Sequence, residues 1–464
     1  MIFSSLTFFF FFLFYLVFHF FTPILGRNYL IIIGSTIFYS WWLPSNTWVP
    51  FFLILIAFIG YKILFLVEQK RKYLVLISTL LIIYLPLIFF KYLGFIYSDI
   101  LTPVFGLEPR DISFQIPLGI SFITFTLTSF LIDVYKQKYK NKVNLVTFSA
   151  YILYFPQLIA GPILRPNELI PQLQNPPKKF EVFKNISFPI LIFTIGCLKK
   201  FLFADYISSF VENVFDTSSF NTTLETILAI YSFSVQIYCD FSGYTDMAIG
   251  VSLLLGINLP FNFLSPYQSV SIVDFWRRWH ITLSDFLRDY IYIPLGGNRK
   301  GLKRQNINLF LTMLLGGLWH GANWTFVIWG GMHGIGLTLI RLKEKFLGNS
   351  FRLPRPLSIF ITFNFVAFTW IFFRSETFAD SINIFQQVFS FNFSDASYFF
   401  SDNLFPIFLI LIFFTTHKWD KWESLKKISI SLPKAVFIPL IFVMWLIIIS
   451  FASSSSGAFI YFDF

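Results

Sequence analysis

The chain has 464 residues, of which 56% are hydrophobic and only 13% are charged. An ordinary soluble domain carries about 25% charged residues, so this composition excludes a soluble enzyme and indicates a protein with many membrane spans. The formal net charge is +11, but the Lys and Arg residues fall in short clusters between apolar runs, as in cytoplasmic loops rather than in a nucleic-acid-binding surface. The two cysteines, Cys197 and Cys239, have the spacing of neither a metal site nor a disulfide framework, and we predict no bound metal.

The first third of the chain consists of apolar segments with the length of membrane spans, about 20 residues each. The first segment lacks the basic region and the cleavage site of a signal peptide, so we expect it to remain as a span. The predicted spans cover residues 4–21, 29–43, 48–66, 73–90 and 114–133. Basic clusters at 70–72 and 136–142 alternate with neutral or mixed loops, so the positive-inside rule predicts an outer N-terminus and a cytoplasmic loop at 135–145.

The last third of the chain can be oriented independently. Spans are predicted at 357–373, 404–416 and 435–452. The loops at 341–356 and 417–434 are basic and therefore predicted to be cytoplasmic, whereas the intervening loop carries acidic residues, namely Glu376, Asp380, Asp395 and Asp402. Both termini are then expected outside the cytoplasm.

The middle of the chain departs from simple spans. LYFPQLIAGPILRP is broken by Pro156, Gly161 and Pro162, which predicts a re-entrant or discontinuous helix buried in protein. Clearer spans are predicted at 186–203, 222–239 and 242–258. Residues 270–294 place apolar side chains at helical spacing among many charges, which predicts an amphipathic helix along the membrane surface or the wall of a wet cavity.

Two histidines lie in this polar part of the chain. His280 belongs to the charged segment, and His320 follows Gly316-Gly317 in an apolar stretch too long for one crossing, so a break between two half-spans or adjoining spans is predicted there. Ionisable groups near bilayer depth cost about 2.5 to 3.5 kcal/mol each, so a sequence that carries them there usually uses them. Function is therefore expected in this window.

Five ordered motifs resemble the membrane-bound O-acyltransferase family, and in particular its bacterial alginate O-acetyltransferase membrane subunits. They are LGISFITFTLTSFLIDVY, FPQLIAGPILRP, YCDFSGYTDMAIGVSLLLGINLPFNF, FWRRWHITLSDFLRDYIYIPLGGN and LGGLWHGANWTFVIWGGMHG, and the closing FIYFDF also resembles that subgroup. The resemblance implies an all-α integral membrane protein of the bacterial inner membrane. It further implies a bundle of about eleven transmembrane helices, with re-entrant and amphipathic helices around a central cavity. We expect one membrane domain over 1–464, with N-terminal spans at 1–145, a catalytic core at 146–340 and C-terminal spans at 341–464.

The resemblance also implies roles for the two histidines. His320 matches the WHG histidine at the family's constriction, and His280 matches its second polar catalytic position. A neutral imidazole suits removal of a hydroxyl proton at neutral pH, so His320 is the candidate base. His280 is expected to orient a substrate, or to polarise the thioester carbonyl if it is protonated. The plainer interpretation is a structural histidine at a helix break, and for His333 we favour packing and hydrogen bonding alone.

Further residues are candidates for substrate contacts, namely Trp319, Asn323, Trp276, Arg277, Arg278 and Asp240. For Asp240 and Asp246 we favour a buried structural pair with Arg or Tyr partners over a direct catalytic role. For an anionic donor, the candidate phosphate partners are Arg277, Arg278, Arg299, Lys300, Lys303 and Arg304, although the last four are equally explained as a positive-inside signal.

We therefore predict transfer of an acetyl group from acetyl-CoA or another acyl thioester on the cytoplasmic side, with no bound cofactor. The acceptor would be a hydroxyl of an exported polysaccharide such as alginate, or an outer partner protein of the SGNH-hydrolase type. Alternatives are D-alanyl transfer to teichoic acid, a polysaccharide export channel, and a secretion scaffold. Transporters commonly show repeated halves, and the broken segment at 153–166 has no counterpart in the second half of the sequence.

Overall fold

A computed structural model describes residues 1–108, 110, 112–176, 185–216, 222–348, 353–394, 396–452 and 459–460. Within these ranges every regular element is a helix, so the all-α prediction is confirmed. Asp395 of the acidic loop and the last four residues of FIYFDF lie outside the described residues. The chain forms two compact units, Met1–Phe193 with Met247–Pro260, and Thr194–Asp246 with Phe261–Phe464. The division into one membrane domain with three sections stays a prediction.

The first unit contains the N-terminal helices. These are α1 (Leu6–Phe21), α2 (Arg27–Ser40), α3 (Trp48–Leu66), α4 (Gln69–Leu87), α5 (Ile120–Tyr135), α6 (Leu145–Leu153), α7 (Phe155–Leu158) and α8 (Pro166–Gln174). Helix α4 runs on through π-helical turns to Phe105. Helices α1 to α5 coincide closely with the five spans predicted from this part of the sequence.

The remaining helices belong to the second unit, except that α9 and α11 each have residues in both. In chain order they are α9 (Ser187–Leu198), α10 (Tyr206–Phe215), α11 (Thr223–Leu254), α12 (Ile272–Trp276), α13 (Ile281–Leu287), α14 (Gly301–His320), α15 (Trp324–Leu347), α16 (Arg355–Arg374), α17 (Phe378–Phe389), α18 (Ala396–Asp402), α19 (Leu404–Thr416), α20 (Trp422–Ser431) and α21 (Lys434–Ala452).

Six helical stretches in the described ranges are long and apolar enough to cross a bilayer. They are Pro44–Leu66, Gln69–Phe105, Ser187–Phe215, Trp324–Phe346, Arg355–Arg374 and Lys434–Ala452, with shorter apolar helices at Leu6–Phe21, Ile120–Tyr135 and Leu404–Trp419. These helices identify a multi-pass membrane protein. The count of about eleven spans stays a prediction.

Two predictions for the middle of the chain are wrong in detail. The separate spans at 222–239 and 242–258 form one helix, α11. The helix passes through Gly243, where a Cβ would lie 2.8 Å from the Gly196 carbonyl oxygen, so the glycine serves close packing and not a break. The amphipathic helix at 270–294 is instead two short helices, α12 and α13, with a π-helical turn at Arg288–Tyr292.

The broken segment LYFPQLIAGPILRP is confirmed as irregular backbone inside protein. Residues 153–164 are all buried, and after α6 ends at Leu153 only the short α7 interrupts a non-helical course up to residue 164. Neighbouring groups satisfy its backbone. The Phe155 N–H donates to Ser35 Oγ at 3.1 Å, and the Tyr151 hydroxyl donates to the Leu164 carbonyl at 2.8 Å. Such partners are what allow non-helical backbone in an apolar environment.

Helices α14 and α15 form a close hairpin, and the predicted break at His320 is confirmed. Helix α14 ends at His320 and α15 begins at Trp324. The two backbones touch at glycines, because a Cβ on Gly317 would lie 2.2 Å from the Phe326 carbonyl oxygen and 3.1 Å from Gly330 Cα. Small residues at such crossings let helices approach closely.

Candidate active site

His280 occupies a strained turn between α12 and α13. Its φ of +43° lies in the left-handed region, which a residue with a Cβ adopts at a cost of about 1 to 3 kcal/mol and which is common at functional sites. Asn262 holds the turn, because its carbonyl accepts the Ile281 N–H at 3.0 Å and its side-chain oxygen accepts the Thr282 hydroxyl at 2.7 Å. This local conformation breaks the helix that the apolar spacing predicted.

The ring of His280 is completely buried among aromatic side chains. It packs edge-on to Phe241 at 4.8 Å and to Trp319 at 6.0 Å between ring centroids. Burial lowers the pKa of His280 to about 3, because a charged imidazolium loses its hydration there, and a backbone hydrogen bond offsets only part of this. His280 is therefore neutral at neutral pH, which favours an orienting role over the protonated role.

His320 ends α14 inside a cage of rings. Its ring contacts Trp319 at 4.9 Å, Trp329 at 5.1 Å and Phe373 at 5.3 Å, each edge to face, and the residue is 3% exposed. Since Trp319 also touches His280, one indole lies against both histidines. The structure thus brings His280, His320 and Trp319 together, and their roles in catalysis and substrate binding stay predictions.

His333, whose ring contacts Trp329 on the same helix, is fixed by two hydrogen bonds. The Trp276 indole N–H donates to His333 Nδ1 at 3.2 Å, and His333 Nε2 lies 3.0 Å from the Thr369 hydroxyl oxygen. With Nδ1 accepting, Nε2 carries the proton and donates to Thr369, whose hydroxyl in turn donates to the Val366 carbonyl at 2.8 Å. The sequence did not indicate this connection, because its partners lie 57 and 36 residues away along the chain.

Two indoles near His320 have polar atoms without a partner. Trp329 and Trp370 stack at 5.5 Å with ring planes 16° apart, and each is 1% exposed. Neither indole N–H has a hydrogen-bond acceptor in the part of the chain that the structure describes. Buried Trp N–H groups usually find an acceptor, so two adjacent exceptions beside a candidate catalytic histidine are informative.

A cavity of about 380 Å³ lies between α12, α13, α14 and α15. Its wall includes Trp276 and three arginines, Arg277, Arg288 and Arg341. His280 and His320 are not part of this wall, and neither are Arg299, Lys300, Lys303 and Arg304. Among the predicted substrate contacts, Trp276 lines the cavity and also hydrogen-bonds His333. Its ring contacts Trp329, which in turn contacts His320.

Adjacent arginines differ in what surrounds them. Arg277 is exposed, lines the cavity and has no ion pair among the described residues. Arg278 donates from Nε to Asp274 at 2.9 Å and reaches the Leu264 carbonyl, so it supports the turn that carries His280. Of the two, Arg277 is better placed to meet an anionic ligand.

Asp240 and Asp246 form buried ion pairs, but their partners are lysines and not Arg or Tyr as predicted. Lys200 Nζ lies 2.8 Å from Asp240, and Lys199 Nζ lies 2.7 Å from Asp246. Asp240 also accepts the Ile460 backbone N–H at 2.8 Å. These contacts hold the carboxylates in the helical framework, and a substrate contact by Asp240 stays a prediction.

Asn323 caps the N-terminus of α15. Its side-chain oxygen accepts the Thr325 N–H at 3.0 Å, and its amide donates to the Glu376 carbonyl at 2.7 Å. Both polar atoms are therefore used to fix the α14–α15 break beside His320. Direct contact of Asn323 with substrate stays a prediction.

Comparison with known proteins adds independent findings. The sequence profile of the membrane-bound O-acyltransferase (MBOAT) family matches residues 27–378. A peptidoglycan O-acetyltransferase of Helicobacter pylori is 36% identical over 386 residues, which cover 76% of this chain and 72% of that protein. A probable alginate O-acetylase of Pseudomonas aeruginosa is 39% identical over 379 residues, covering 79% and 70%. A teichoic acid D-alanyltransferase of Bacillus subtilis is 32% identical over 273 residues, covering 56% and 69%.

Proposed function

The chain belongs to the membrane-bound O-acyltransferase family and is an O-acyltransferase, and from that premise we propose that it moves an acetyl group from a thioester to a hydroxyl of an exported polysaccharide. The observation that carries this proposal is the pair of relatives at 36% and 39% identity, whose names specify acetylation of peptidoglycan and alginate. Both acceptors are polysaccharides, so the acceptor class is supported more strongly than the particular sugar.

The aromatic cage supplies the base for this reaction. His320 removes the proton from the acceptor hydroxyl while the oxygen attacks the thioester carbonyl, and the departing thiolate takes the proton back. General-base assistance of this kind contributes about 10²- to 10⁴-fold, so positioning of the two substrates must supply further acceleration. The neutral His280, in contact with the same indole as His320, is suited to orienting a substrate.

The cavity is suited to the donor. Acetyl-CoA carries several phosphate charges, and Arg277 offers a guanidinium that no carboxylate in the described ranges neutralises. Arg288 and Arg341 also line the cavity, although Arg288 is paired with Asp285 and Asp289, and Arg341 is paired with Glu344. The basic loops around this region match a cytoplasmic entry for the donor under the positive-inside rule.

The number of spans, the membrane and the orientation of the termini are part of the same proposal. We expect a bundle of about eleven transmembrane helices with re-entrant pieces around a central cavity, and placement in the bacterial inner membrane. Both termini are expected outside the cytoplasm, which requires an even number of full crossings. The acceptor then meets the acetyl group from the outer side, either directly or through an SGNH-type partner that completes the transfer.

D-alanyl transfer to teichoic acid is a second candidate, because a teichoic acid D-alanyltransferase is 32% identical over 56% of the chain. The coverage is smaller than for the acetyltransferases, which favours acetyl transfer. The chemistry at His320 would be the same in both reactions, since each moves an acyl group from a thioester to an alcohol.

The direct test supplies the purified full-length protein in detergent with radiolabelled acetyl-CoA and one acceptor at a time, namely oligomannuronate, peptidoglycan glycan strands or lipoteichoic acid. We expect release of CoA thiol and label on one of the two glycans. Thiol release with labelled acetate and no labelled glycan is hydrolysis, and label on a glycan only after an SGNH-type partner is added supports passage through that partner. Activity only with a D-alanyl carrier thioester favours the second candidate, and turnover of neither donor contradicts the proposal.

The donor site is tested by a pair of adjacent variants. Arg277→Gln removes a cavity charge that has no ion-pair partner in the described structure, so the KM for acetyl-CoA should rise about fivefold, as expected for a contact worth about 1 kcal/mol. Arg278→Gln is the matched control, because that guanidinium is already engaged by Asp274. Equal KM values for the two variants would remove Arg277 from the donor site.

A further inference from the structure

Trp329 presents a buried hydrogen-bond donor that the fold itself does not use. The residue is 1% exposed, and its indole N–H has no acceptor within the described ranges. The neighbouring Trp276 does have an acceptor, because its indole N–H donates to His333 Nδ1 at 3.2 Å. A buried donor without an acceptor costs free energy, so a ligand that brings an acceptor to this N–H would relieve that cost.

The position of Trp329 indicates which ligand atom that acceptor is. Its ring lies 5.1 Å from His320 on one side and 4.8 Å from His333 on the other. It also contacts Trp276, at 5.9 Å, and Trp276 lines the arginine-bordered cavity. Trp329 thus connects the cavity-lining Trp276 to His320, and an acyl group carried past Trp276 to the base would meet the Trp329 indole.

We propose that the Trp329 indole N–H donates a hydrogen bond to the acyl carbonyl oxygen of the thioester while that oxygen becomes an oxyanion. This inference rests on the acyl transfer proposed above. His320 takes the hydroxyl proton, the acceptor oxygen forms the new C–O bond, and the carbonyl electron pair moves onto the oxygen that Trp329 binds. The pair then returns, the C–S bond breaks, and the thiolate receives the proton from His320.

Trp370 provides the comparison within the same structure. It has the same burial and also lacks an acceptor in the described part of the chain, and its ring contacts Trp329 at 5.5 Å, Trp279 at 5.1 Å and Phe373 at 5.1 Å. Of the two indoles, Trp329 is the one in ring contact with His320 within the described ranges. If the indole N–H served only a trapped water or the packing, its removal should lower kcat equally at both positions. If it binds the reacting oxygen, only its removal at Trp329 should lower kcat.

The test compares Trp329→Phe with Trp370→Phe in the full-length protein, using acetyl-CoA as donor and CoA thiol release as the signal. Each variant removes one indole N–H and keeps an aromatic ring. We expect Trp329→Phe to lower kcat about 10²-fold with little change in KM, as for loss of one oxyanion donor. Trp370→Phe should stay within a few-fold of wild type at matched thermal stability.

A second measurement detects the carbonyl oxygen itself. A dithioester donor replaces that oxygen with sulfur, a weaker acceptor, so wild type should show a larger rate drop from thioester to dithioester than Trp329→Phe does. Equal kcat losses in the two Phe variants, or equal thioester-to-dithioester ratios in wild type and Trp329→Phe, would overturn the inference. Inactivity of wild type towards both acetyl and D-alanyl thioesters would instead count against the proposed function.

Discussion

At the residue scale, the candidate site consists of two buried histidines, each packed against several aromatic rings. His280 and His320 stand out as ionisable groups in an apolar chain, and the structure places both against Trp319. The left-handed turn at His280 could not be predicted, because it depends on Asn262, which is eighteen positions away and carries no special signal. The hydrogen bonds of His333 and the unsatisfied indoles likewise arise from contacts between distant segments.

The buried His280 should make the protein sensitive to acid. Its pKa is about 3 when folded and about 6.5 when unfolded, so the unfolded chain binds the additional proton between these values and stability falls as pH drops from 6.5 towards 3. His280→Gln removes this contribution. Thermal unfolding at pH 7 and pH 4.5 should show a smaller acid-induced decrease in Tm for the variant than for wild type. An identical decrease in both proteins would contradict the neutral buried imidazole.

At the element scale, apolar length predicted helices well, whereas breaks required knowledge of packing. The terminal spans agree with their helices within a few residues, and the break after His320 was marked by Gly316, Gly317 and Gly321. The gap predicted between spans at 222–239 and 242–258 was wrong, because α11 continues through it and Gly243 serves a close contact there. A glycine in an apolar run therefore signals either a break or a crossing, and only the neighbouring segment decides which.

The glycine contact between α14 and α15 gives a sharp prediction. Gly317→Ala would place a Cβ 2.2 Å from the Phe326 carbonyl oxygen, which is backbone and cannot swing away, so about 1 to 3 kcal/mol of destabilisation is expected from overpacking. Gly331→Ala is the matched control, since the nearest atom is Leu314 Cδ2 at 3.5 Å. Thermal unfolding in one detergent should show a lower Tm for Gly317→Ala only. Equal Tm values would mean that the hairpin can open without cost.

At the scale of the whole molecule, composition identified a membrane protein and ordered motifs identified the family, but neither reported how buried charges are compensated. Lys199 pairs with Asp246, 47 residues along the chain, and Lys200 pairs with Asp240, while Asp420 and Asp205 share the same two lysines. The sequence predicted partners for these carboxylates but of the wrong residue types, because the lysines belong to a distant π-helical turn, Lys199–Asp205, whose contact with α11 the sequence does not indicate. The candidate base His320 thus lies in a unit whose buried lysines and aspartates are held in ion pairs.

Acetyl-CoA turnover by His320→Gln, compared with His417→Gln, tests directly whether the His320 imidazole is the base. Both histidines are buried in rings, but His417 accepts the Tyr267 backbone N–H at 3.1 Å and serves the fold. With folding of each variant verified by thermal unfolding and gel filtration, His320→Gln should lose about 10²- to 10⁴-fold in turnover, while His417→Gln keeps the same order of activity as wild type. Wild-type turnover in a folded His320→Gln variant would contradict the assignment of this imidazole as the base.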